Sequence, residues 1–239
     1  MSVNMTTHKE LELLCIKHSL RVDDILKEKP NVRIVELLSI IKEMKVNQQK
    51  VAKLLKIPKI EQKSVEWYNT RENLITASDF AQALGYGKFG HQNDIIKKKV
   101  KPVDESSNSI SNPFFKWGNM FEPMACKIYS LLHSDVKVHE FGLIKHETRN
   151  YFGASPDGIT DYGIMLEIKC PYKRKIVAGG EVPKQYYYQI QGQLDVCGLT
   201  DCDYFECQFN LFKNREKLES CEQDAFKGII IEETPGKYI

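Results

Sequence analysis

Apolar residues near the start of the chain recur with the period of a helix. In NVRIVELLSIIKEMKV, which begins at residue 31, apolar side chains lie three and four positions apart, at Ile34, Leu37, Leu38, Ile41 and Met44. This spacing places them on one face of an amphipathic helix. A second, shorter helix, NQQKVAKLLK, is predicted to stop near Pro58, because proline ends helices. We therefore expect residues 1–62 to form a helical extension that packs on the rest of the protein or on a partner.

The pattern changes after residue 62, where helical and strand-like segments follow one another. Thr76 and Asp79 have the spacing of a capping box, which predicts a helix start in ITASDFAQALG. Further helices are predicted over residues 115–133 and 184–196. The predicted strands are VKVHEFGLIKH, FGAS, IMLEIKC, DCDYFECQF and one last strand in GIIIEETPGKYI. The sequence therefore predicts an α/β fold over residues 63–239, with a central mixed β-sheet flanked by helices.

Composition and net charge exclude only a few classes of protein. The chain has 239 residues, of which 42% are apolar and 28% charged, and its formal net charge of +2 neither requires nor excludes nucleic acid. No run reaches the roughly 18 uncharged apolar residues of a membrane span, and the N-terminus lacks the apolar run of a secretory signal. Seven cysteines without a CxxC pair favour reduced thiols. We therefore expect an intracellular protein, in the cytoplasm or nucleus of a host cell, with no membrane partner.

The stretch SPDGITDYGIMLEIKCP, residues 155–171, places ionisable side chains inside an apolar strand, which is costly unless they have partners. Glu167 and Lys169 are two positions apart, so both leave the strand on the same face. A hairpin at GITDYG would bring Asp157 close to Glu167. Crowded carboxylates repel unless a cation lies between them, and a hard divalent ion held by Asp157, Glu167 and the Ile168 carbonyl meets this condition. Lys169 would then orient or deprotonate a water for attack on phosphorus; an ordinary surface hairpin is the alternative.

Two predicted helices and two basic clusters offer further polar groups. Glu122, in KWGNMFEPMACKIY, is either a second metal ligand or an acidic residue of a first helical turn. Gln191, in QYYYQIQGQLDV, either hydrogen-bonds to a metal-bound water or a phosphate, or lies on a solvated helix face. The basic clusters are KKKVK, residues 97–101, and YKRK, residues 172–175, and the second directly follows the Glu-x-Lys pair. Both clusters are equally consistent with solvated surface.

Five motifs occur in a fixed order along the chain. They are Trp67-x3-Arg71, Ile75-Thr76-Ala77-Ser78, Trp117-Gly118 with Phe121-Glu122 and Ala125, Ser155-Pro156-Asp157-Gly158 with Glu167-Ile168-Lys169-Cys170-Pro171, and Gln189-Ile190-Gln191. In this order they resemble the lambda-exonuclease and YqaJ-type viral recombinase family of the PD-(D/E)XK nuclease superfamily. The resemblance covers roughly residues 64–212. It implies a restriction-endonuclease-like core behind the helical extension.

The resemblance implies a catalytic role for each matching residue. Asp157 and Glu167 would be shared metal ligands together with the Ile168 carbonyl. Glu122 would help to hold a second ion. Lys169 would position or activate the water, and Gln191 would support that water or the scissile phosphate. The implied cofactor is Mg²⁺ or Mn²⁺, with two ions in each active site.

The resemblance also implies two groups of DNA contacts. Arg71 and Ser78 would bind the 5′-terminal phosphate, a use that suits a guanidinium and a hydroxyl, and Ser155 would assist them. The basic residues that follow the core motif would lie along the DNA backbone, with salt-sensitive affinity. They are Lys173, Arg174 and Lys175.

The expected activity is that of a divalent-metal-dependent deoxyribonuclease that digests duplex DNA from its ends, 5′ to 3′. It would leave 3′ single strands for recombination or repair. Double-stranded DNA ends are the expected partner; a single-strand annealing protein and a homo-oligomer are further partners that the resemblance leaves open. Two alternatives are an endonuclease on the same core and a non-catalytic DNA-binding accessory protein. The pairing of Arg71 with Ser78 favours the end-directed enzyme, since a 5′-phosphate site serves only a protein that acts at ends.

Overall fold

The structure, a computed structural model, describes residues 34–60, 64–88, 90–100, 112–133, 136–177, 179–221, 226–228, 230, 232–234 and 237–238. The helices in these ranges are α1 (Ile34–Leu54), α2 (Val65–Glu72), α3 (Ala77–Ala83), α4 (Gln92–Val100), α5 (Pro113–Leu132), α6 (Lys184–Cys197) and α7 (Arg215–Glu219). The strands are β1 (Ile75–Thr76), β2 (Val138–His139), β3 (Ile144–Lys145), β4 (Phe152–Ala154), β5 (Gly158–Thr160), β6 (Ile164–Lys169), β7 (Asp201–Glu206), β8 (Glu232–Thr234) and β9 (Lys237–Tyr238). The part of the predicted extension that precedes residue 34 lies outside the described residues.

Helix α1 is continuous, where the sequence pattern predicted two helices. No Gly or Pro separates the two predicted segments, so nothing in the chain forces a break at Asn47. Asn47 is buried, and its Cβ lies 2.7 Å from where a Cβ on Gly163 would be. Gly163 adopts a φ of +77° in the turn between β5 and β6, a conformation that glycine adopts without strain. The contact between α1 and this turn therefore requires a glycine at position 163 and a helical backbone at Asn47.

The strands form two small mixed sheets and a terminal hairpin. One sheet has the order β1-β4-β3, with β1 parallel and β3 antiparallel to β4. The other has the order β2-β5-β6-β7, with β7 parallel to β6 and the remaining pairs antiparallel. The predicted last strand is instead the β8–β9 pair. The predicted α/β fold with mixed strand directions is confirmed.

Strand β6 is buried on both faces, which makes it the centre of the molecule. Met165 points into a core that includes Val51 and Leu54 of α1 together with Ile190 of α6. Leu166 and Ile168 point the other way, into a second core with Ala125 and Tyr129 of α5. The expectation that the N-terminal helical segment packs on the main domain is thus confirmed for α1. The alternation along β6 also places Glu167 on the same face as Met165.

Two further observations concern the helices and the cysteines. None of the helices in the described ranges is long and apolar enough to cross a membrane. Cys126, Cys170, Cys197, Cys202, Cys207 and Cys221 are free thiols.

Candidate active site

The β5–β6 hairpin brings Asp157 next to the carboxyl end of β6, close to Glu167, as the sequence predicted. Gly158 pairs with Leu166 across the two strands. The backbone N–H of Ile168 donates a hydrogen bond of 2.7 Å to Oδ2 of Asp157. This bond fixes the Asp157 carboxylate beside the strand segment that contains Glu167 and Lys169.

Glu167 is fully buried and has Lys169 as its ion-pair partner. The Lys169 ammonium contacts Oε1 of Glu167, and Oε2 is buried without a hydrogen-bond partner. The Lys169 ammonium also lies 4.9 Å from the centre of the Tyr186 ring on α6. A buried carboxylate oxygen without a hydrogen-bond partner is unusual in a native protein and favours a site that takes a further cation.

The ionisable groups of this site perturb each other strongly. Burial, followed by the charges of Glu167 and Glu122, raises the pKa of Asp157 well above its ordinary value. Burial opposes the charge on Lys169, but the Glu167 and Asp157 carboxylates outweigh it and raise the pKa of that lysine. Lys169 is therefore an ammonium group that donates, while the three carboxylates repel one another.

The donor set fits a hard divalent cation, although it is not arranged around one. Within the described ranges, no three His, Cys, Asp or Glu side chains already converge on a single metal-sized position. The observation that favours a cation is chemical: Oε2 of Glu167 is buried without a hydrogen-bond partner, and burial together with the neighbouring carboxylates raises the pKa of Asp157. Oxygen ligands of this type are those that Mg²⁺ and Mn²⁺ prefer.

A second cluster of polar groups lies where β1 enters α3. Nη2 of Arg71 donates a hydrogen bond of 3.1 Å to Oγ1 of Thr76, and Oγ of Ser78 lies 3.0 Å from the same oxygen. Thr76 in turn donates a hydrogen bond of 2.9 Å to Asp79, and its backbone N–H also reaches that carboxylate, at 3.3 Å. The predicted capping box is therefore present, and Thr76 links the two residues that were predicted to bind a phosphate.

Arg71 is held from several sides. Its guanidinium lies 4.3 Å from the centre of the Trp67 ring, one helical turn earlier on α2. Ser64 caps the start of α2 by accepting a hydrogen bond from the Trp67 N–H. The ammonium of Lys99, in the basic run of α4, donates a hydrogen bond of 2.7 Å to the backbone carbonyl of Arg71. These contacts fix the guanidinium before any ligand binds.

The two clusters meet in one cavity of about 180 Å³. It is lined by Trp67, Arg71, Thr76, Ala77, Ser78, Glu122, Ser155, Asp157, Gln189 and Gln193. The structure thus brings together five of the predicted site residues, namely Arg71, Ser78, Glu122, Ser155 and Asp157. Ser155 Oγ is buried without a hydrogen-bond partner, so its hydroxyl is available to a ligand.

The structure does not bring Gln191 into the cavity. Gln191 is exposed, whereas Gln189 and Gln193 line the cavity. Two positions along a helix rotate a side chain by about 200°, so Gln191 faces away from both neighbours. Gln193 is almost completely buried, and its Oε1 has no partner. The i, i+4 spacing of Gln189 and Gln193 was the sequence signal that identifies the inward face.

The basic residues after β6 do not line the cavity. Lys173, Arg174 and Lys175 are exposed. Arg174 forms an ion pair with Glu206 at the end of β7, and Glu206 also accepts a hydrogen bond of 2.8 Å from the Tyr204 hydroxyl. Lys173 lies over the Tyr172 ring, at 5.5 Å from its centre. These residues extend outward from the site along the surface.

Comparison with known proteins identifies the family. The sequence model of the YqaJ-like viral recombinase domain matches residues 66–202, more than half of the chain, and the chain belongs to this family. It is similar to a crystal structure of an alkaline exonuclease, LHK-Exo, from Laribacter hongkongensis, at 29% identity and a TM-score of 0.52, covering 61% of this chain and 74% of that one. A structure of LHK-Exo in complex with dAMP is similar at 30% identity and a TM-score of 0.50, covering 60% and 73% of the two chains.

A curated relative extends the similarity to viruses. An uncharacterized protein of Acanthamoeba polyphaga mimivirus is 30% identical over 177 residues, which cover 67% of this chain and 32% of the relative. The chain therefore spans about a third of the length of that relative.

Proposed function

We propose that the protein is a divalent-metal-dependent deoxyribonuclease that digests duplex DNA from its ends. The observation on which the proposal rests is that Arg71 and Ser78 share one cavity with Asp157 and Glu122. A terminal phosphate bound to the guanidinium would therefore lie beside the carboxylates of the reaction centre. The similarity to the alkaline exonuclease LHK-Exo supports the same activity.

The metal would be held by carboxylates and one backbone group. Asp157 and Glu167 are the proposed ligands of Mg²⁺ or Mn²⁺, with the adjacent Ile168 carbonyl as a further ligand and Glu122 as a ligand of a second ion. When bound, such ions lower the pKa of a water and neutralise charge on phosphate oxygens. The chain contributes the negative cavity that attracts them and the rigid strand that fixes Asp157 through the Ile168 N–H.

Lys169 and the inward glutamines position the reactants. The carboxylates around Lys169 raise its pKa in the metal-free protein, and the lysine would act as a hydrogen-bond donor that orients the attacking water or the phosphate. Gln189 takes the supporting role that the sequence assigned to Gln191, because Gln189 faces the cavity. Donors held in place before the reaction lower the barrier without reorganisation.

Arg71, Ser78 and Ser155 would select the substrate by its end. A guanidinium and two hydroxyls bind a phosphate dianion through charge-assisted hydrogen bonds. A 5′-terminal phosphate in this pocket places a neighbouring phosphodiester at the carboxylates, which gives digestion in the 5′ to 3′ direction and leaves 3′ single strands. Such products suit recombination or repair.

The test is the digestion of linear duplex DNA with 5′-phosphate or 5′-hydroxyl ends, with Mg²⁺, beside a closed circular duplex. We expect loss of the phosphorylated linear DNA, slower loss of the hydroxyl form and an intact circle. Lys169→Ala should abolish digestion, and Arg71→Ala should remove most of the preference for the phosphorylated end, since a charged hydrogen bond contributes about 1.5–3 kcal/mol.

Three results would contradict the proposal. Nicking of the circle would identify an endonuclease. Digestion that does not distinguish the two ends would remove the role of Arg71 and Ser78. DNA binding without cleavage at any Mg²⁺ or Mn²⁺ concentration would leave a non-catalytic accessory protein.

A further inference from the structure

Five aromatic rings form a continuous series from the protein surface to its interior beside the candidate active site. We call this series the aromatic ladder; it consists of Phe114, Tyr172, Trp117, Phe121 and Phe209. Neighbouring ring centres are 5.7 Å apart for Phe114 and Tyr172, and 4.9 Å apart for Tyr172 and Trp117. Trp117 and Phe121 are 4.4 Å apart, and Phe121 stacks on Phe209 at 4.3 Å. These distances are those of favourable aromatic pairs.

Burial changes steeply along the ladder. Phe121 is 2% exposed, whereas Phe114 is 58% and Tyr172 is 41% exposed. Because the inner rings are fixed in the core, the two outer rings have little freedom to collapse onto the surface. A rigid aromatic surface loses less conformational entropy on binding than a mobile one.

The aromatic ladder is connected to the proposed reaction centre through the end of β6 and through α5. Tyr172 follows Lys169 by three residues, and Trp117 and Phe121 lie on α5 just before Glu122. Positive charge surrounds the outer end: Lys173 lies 5.5 Å from the centre of the Tyr172 ring, and Lys175 is exposed close by in sequence. Exposed rings next to lysines at the edge of a phosphodiester site match the chemistry of a DNA single strand, since bases stack on rings while phosphates contact cations.

We propose that Phe114 and Tyr172 stack the bases of single-stranded DNA beside the cleavage site, with Lys173 at the adjacent phosphate. The proposal deepens the proposed function and rests on it for the identity of the ligand. Single-stranded DNA is favoured over a protein partner because the exposed rings occur together with the exposed ammonium groups of Lys173 and Lys175, which complement a polyanion. The surface that follows β6 would therefore contact DNA bases as well as the DNA backbone. The lysines alone would contact only the backbone.

The experiment is a binding assay on the full chain in EDTA, so that no cleavage takes place. The probes are a fluorescein-labelled oligothymidylate of about 12 nucleotides and an abasic strand of the same length and charge. We expect wild type to bind the oligothymidylate at least about 25-fold more tightly than the abasic strand, because two stacked bases contribute about 5-fold or more each. Phe114→Ala and Tyr172→Ala should each remove about 5-fold or more of that advantage without changing the abasic affinity, and Tyr172→Phe should retain it.

Two control variants separate stacking from charge and from folding. Lys173→Ala should weaken both probes equally and reduce the salt slope by about 1. Tyr151→Ala removes an exposed tyrosine that also has an edge-to-face ring partner, Phe152, and should bind both probes as wild type does. Circular dichroism should be the same for all the variants, because the substituted rings and the lysine are exposed.

The proposal is overturned if wild type binds the two probes equally, or if the Phe114→Ala/Tyr172→Ala double variant keeps the full preference for bases. Either result would mean that the rings face some other molecule, such as a protein. Failure of the proposed function is distinguishable, because a chain that digests no duplex would still show ring-dependent binding in EDTA. Conversely, if the protein digests duplex DNA but shows no preference for bases, only the proposed stacking site is contradicted.

Discussion

Asp157 is a buried carboxylate whose charge opposes folding in the absence of a cation. It lies beside Glu167 and Glu122, and burial together with their charges raises its pKa well above the ordinary value. The folded state therefore binds the Asp157 proton more tightly than the unfolded state does. Without a cation, the stability that the protonated group provides is complete below its ordinary pKa and is lost as the pH rises through the raised one.

Replacing this carboxylate is thus expected to stabilise the metal-free protein. Asp157→Asn keeps an oxygen that can accept the Ile168 N–H but removes the charge. In EDTA its melting temperature should exceed that of wild type by a few degrees at alkaline pH, and the difference should disappear in acid. Adding Mg²⁺ should raise the melting temperature of wild type more than that of the variant. Scanning calorimetry across pH tests this, and an equal or lower melting temperature for Asp157→Asn at alkaline pH would contradict it.

Sequence patterns predicted which residues come together better than which way each side chain points. The proximity of Asp157 to Glu167 follows from the predicted hairpin, which the β5–β6 pairing confirms. The inward face of α6 was not evident from its glutamines, because amide composition alone does not tell which face of a helix is inward. The neighbouring Gln193 is buried beside Leu194, so the apolar stripe of α6 contained the missing information. The link that Thr76 makes between Arg71 and Ser78 depends on tertiary contact and had no sequence signal beyond the capping box.

At the scale of elements, the proposed phosphate site depends on how closely α3 approaches α6. A Cβ on Gly192 of α6 would lie 2.4 Å from Cδ2 of Phe80. Phe80 is two residues beyond Ser78 on α3, and its ring lies 5.0 Å from that of Phe152, so it cannot simply move aside. The absence of a side chain at Gly192 therefore sets the distance between the two helices.

Gly192→Ala should accordingly lower the free energy of unfolding by about 1–3 kcal/mol, because an added methyl group in a filled interface forces the helices apart. It should also weaken the discrimination between 5′-phosphate and 5′-hydroxyl ends, since Ser78 moves with α3. The matched control is Gly118→Ala on α5, where no atom lies within 4 Å of the new Cβ. That change should be neutral or stabilise by about 0.5–1 kcal/mol, as alanine favours a helix over glycine. Urea unfolding of both variants measures the contrast, and equal effects would remove the steric explanation.

Among the elements, α1 is the one whose length apolar periodicity predicted least well. Apolar spacing predicts its first turns, but the polar run NQQ, residues 47–49, indicates a boundary between two helices. Asn47 stays helical because it packs against the Gly163 turn, and this long-range contact outweighs the modest helix propensity of asparagine. Local sequence cannot reveal a contact more than a hundred residues away.

Considered as a whole, the described part of the molecule shares one core between α1 and the strands of the candidate nuclease. Val51 and Leu54 of α1 belong to the same buried cluster as Ile159 and Met165 of the hairpin that positions Asp157. Loss of α1 packing would therefore act on the hairpin directly. Composition and net charge do not predict this shared core, because they do not depend on which residues come into contact.

Leu54 and Leu55 provide a matched test of this shared core. Leu54 is 9% exposed and Leu55 is 47% exposed, so the two neighbours differ in burial but not in chemistry. Leu54→Ala should lower the free energy of unfolding by about 2–4 kcal/mol through lost burial and the cavity that remains. Leu55→Ala should change it by no more than about 0.5 kcal/mol. Because the core is continuous, Leu54→Ala should shift one cooperative transition, seen alike by far-ultraviolet circular dichroism and by loss of DNA digestion after heating. A separate early transition that leaves digestion intact would show instead that α1 unfolds independently of the hairpin.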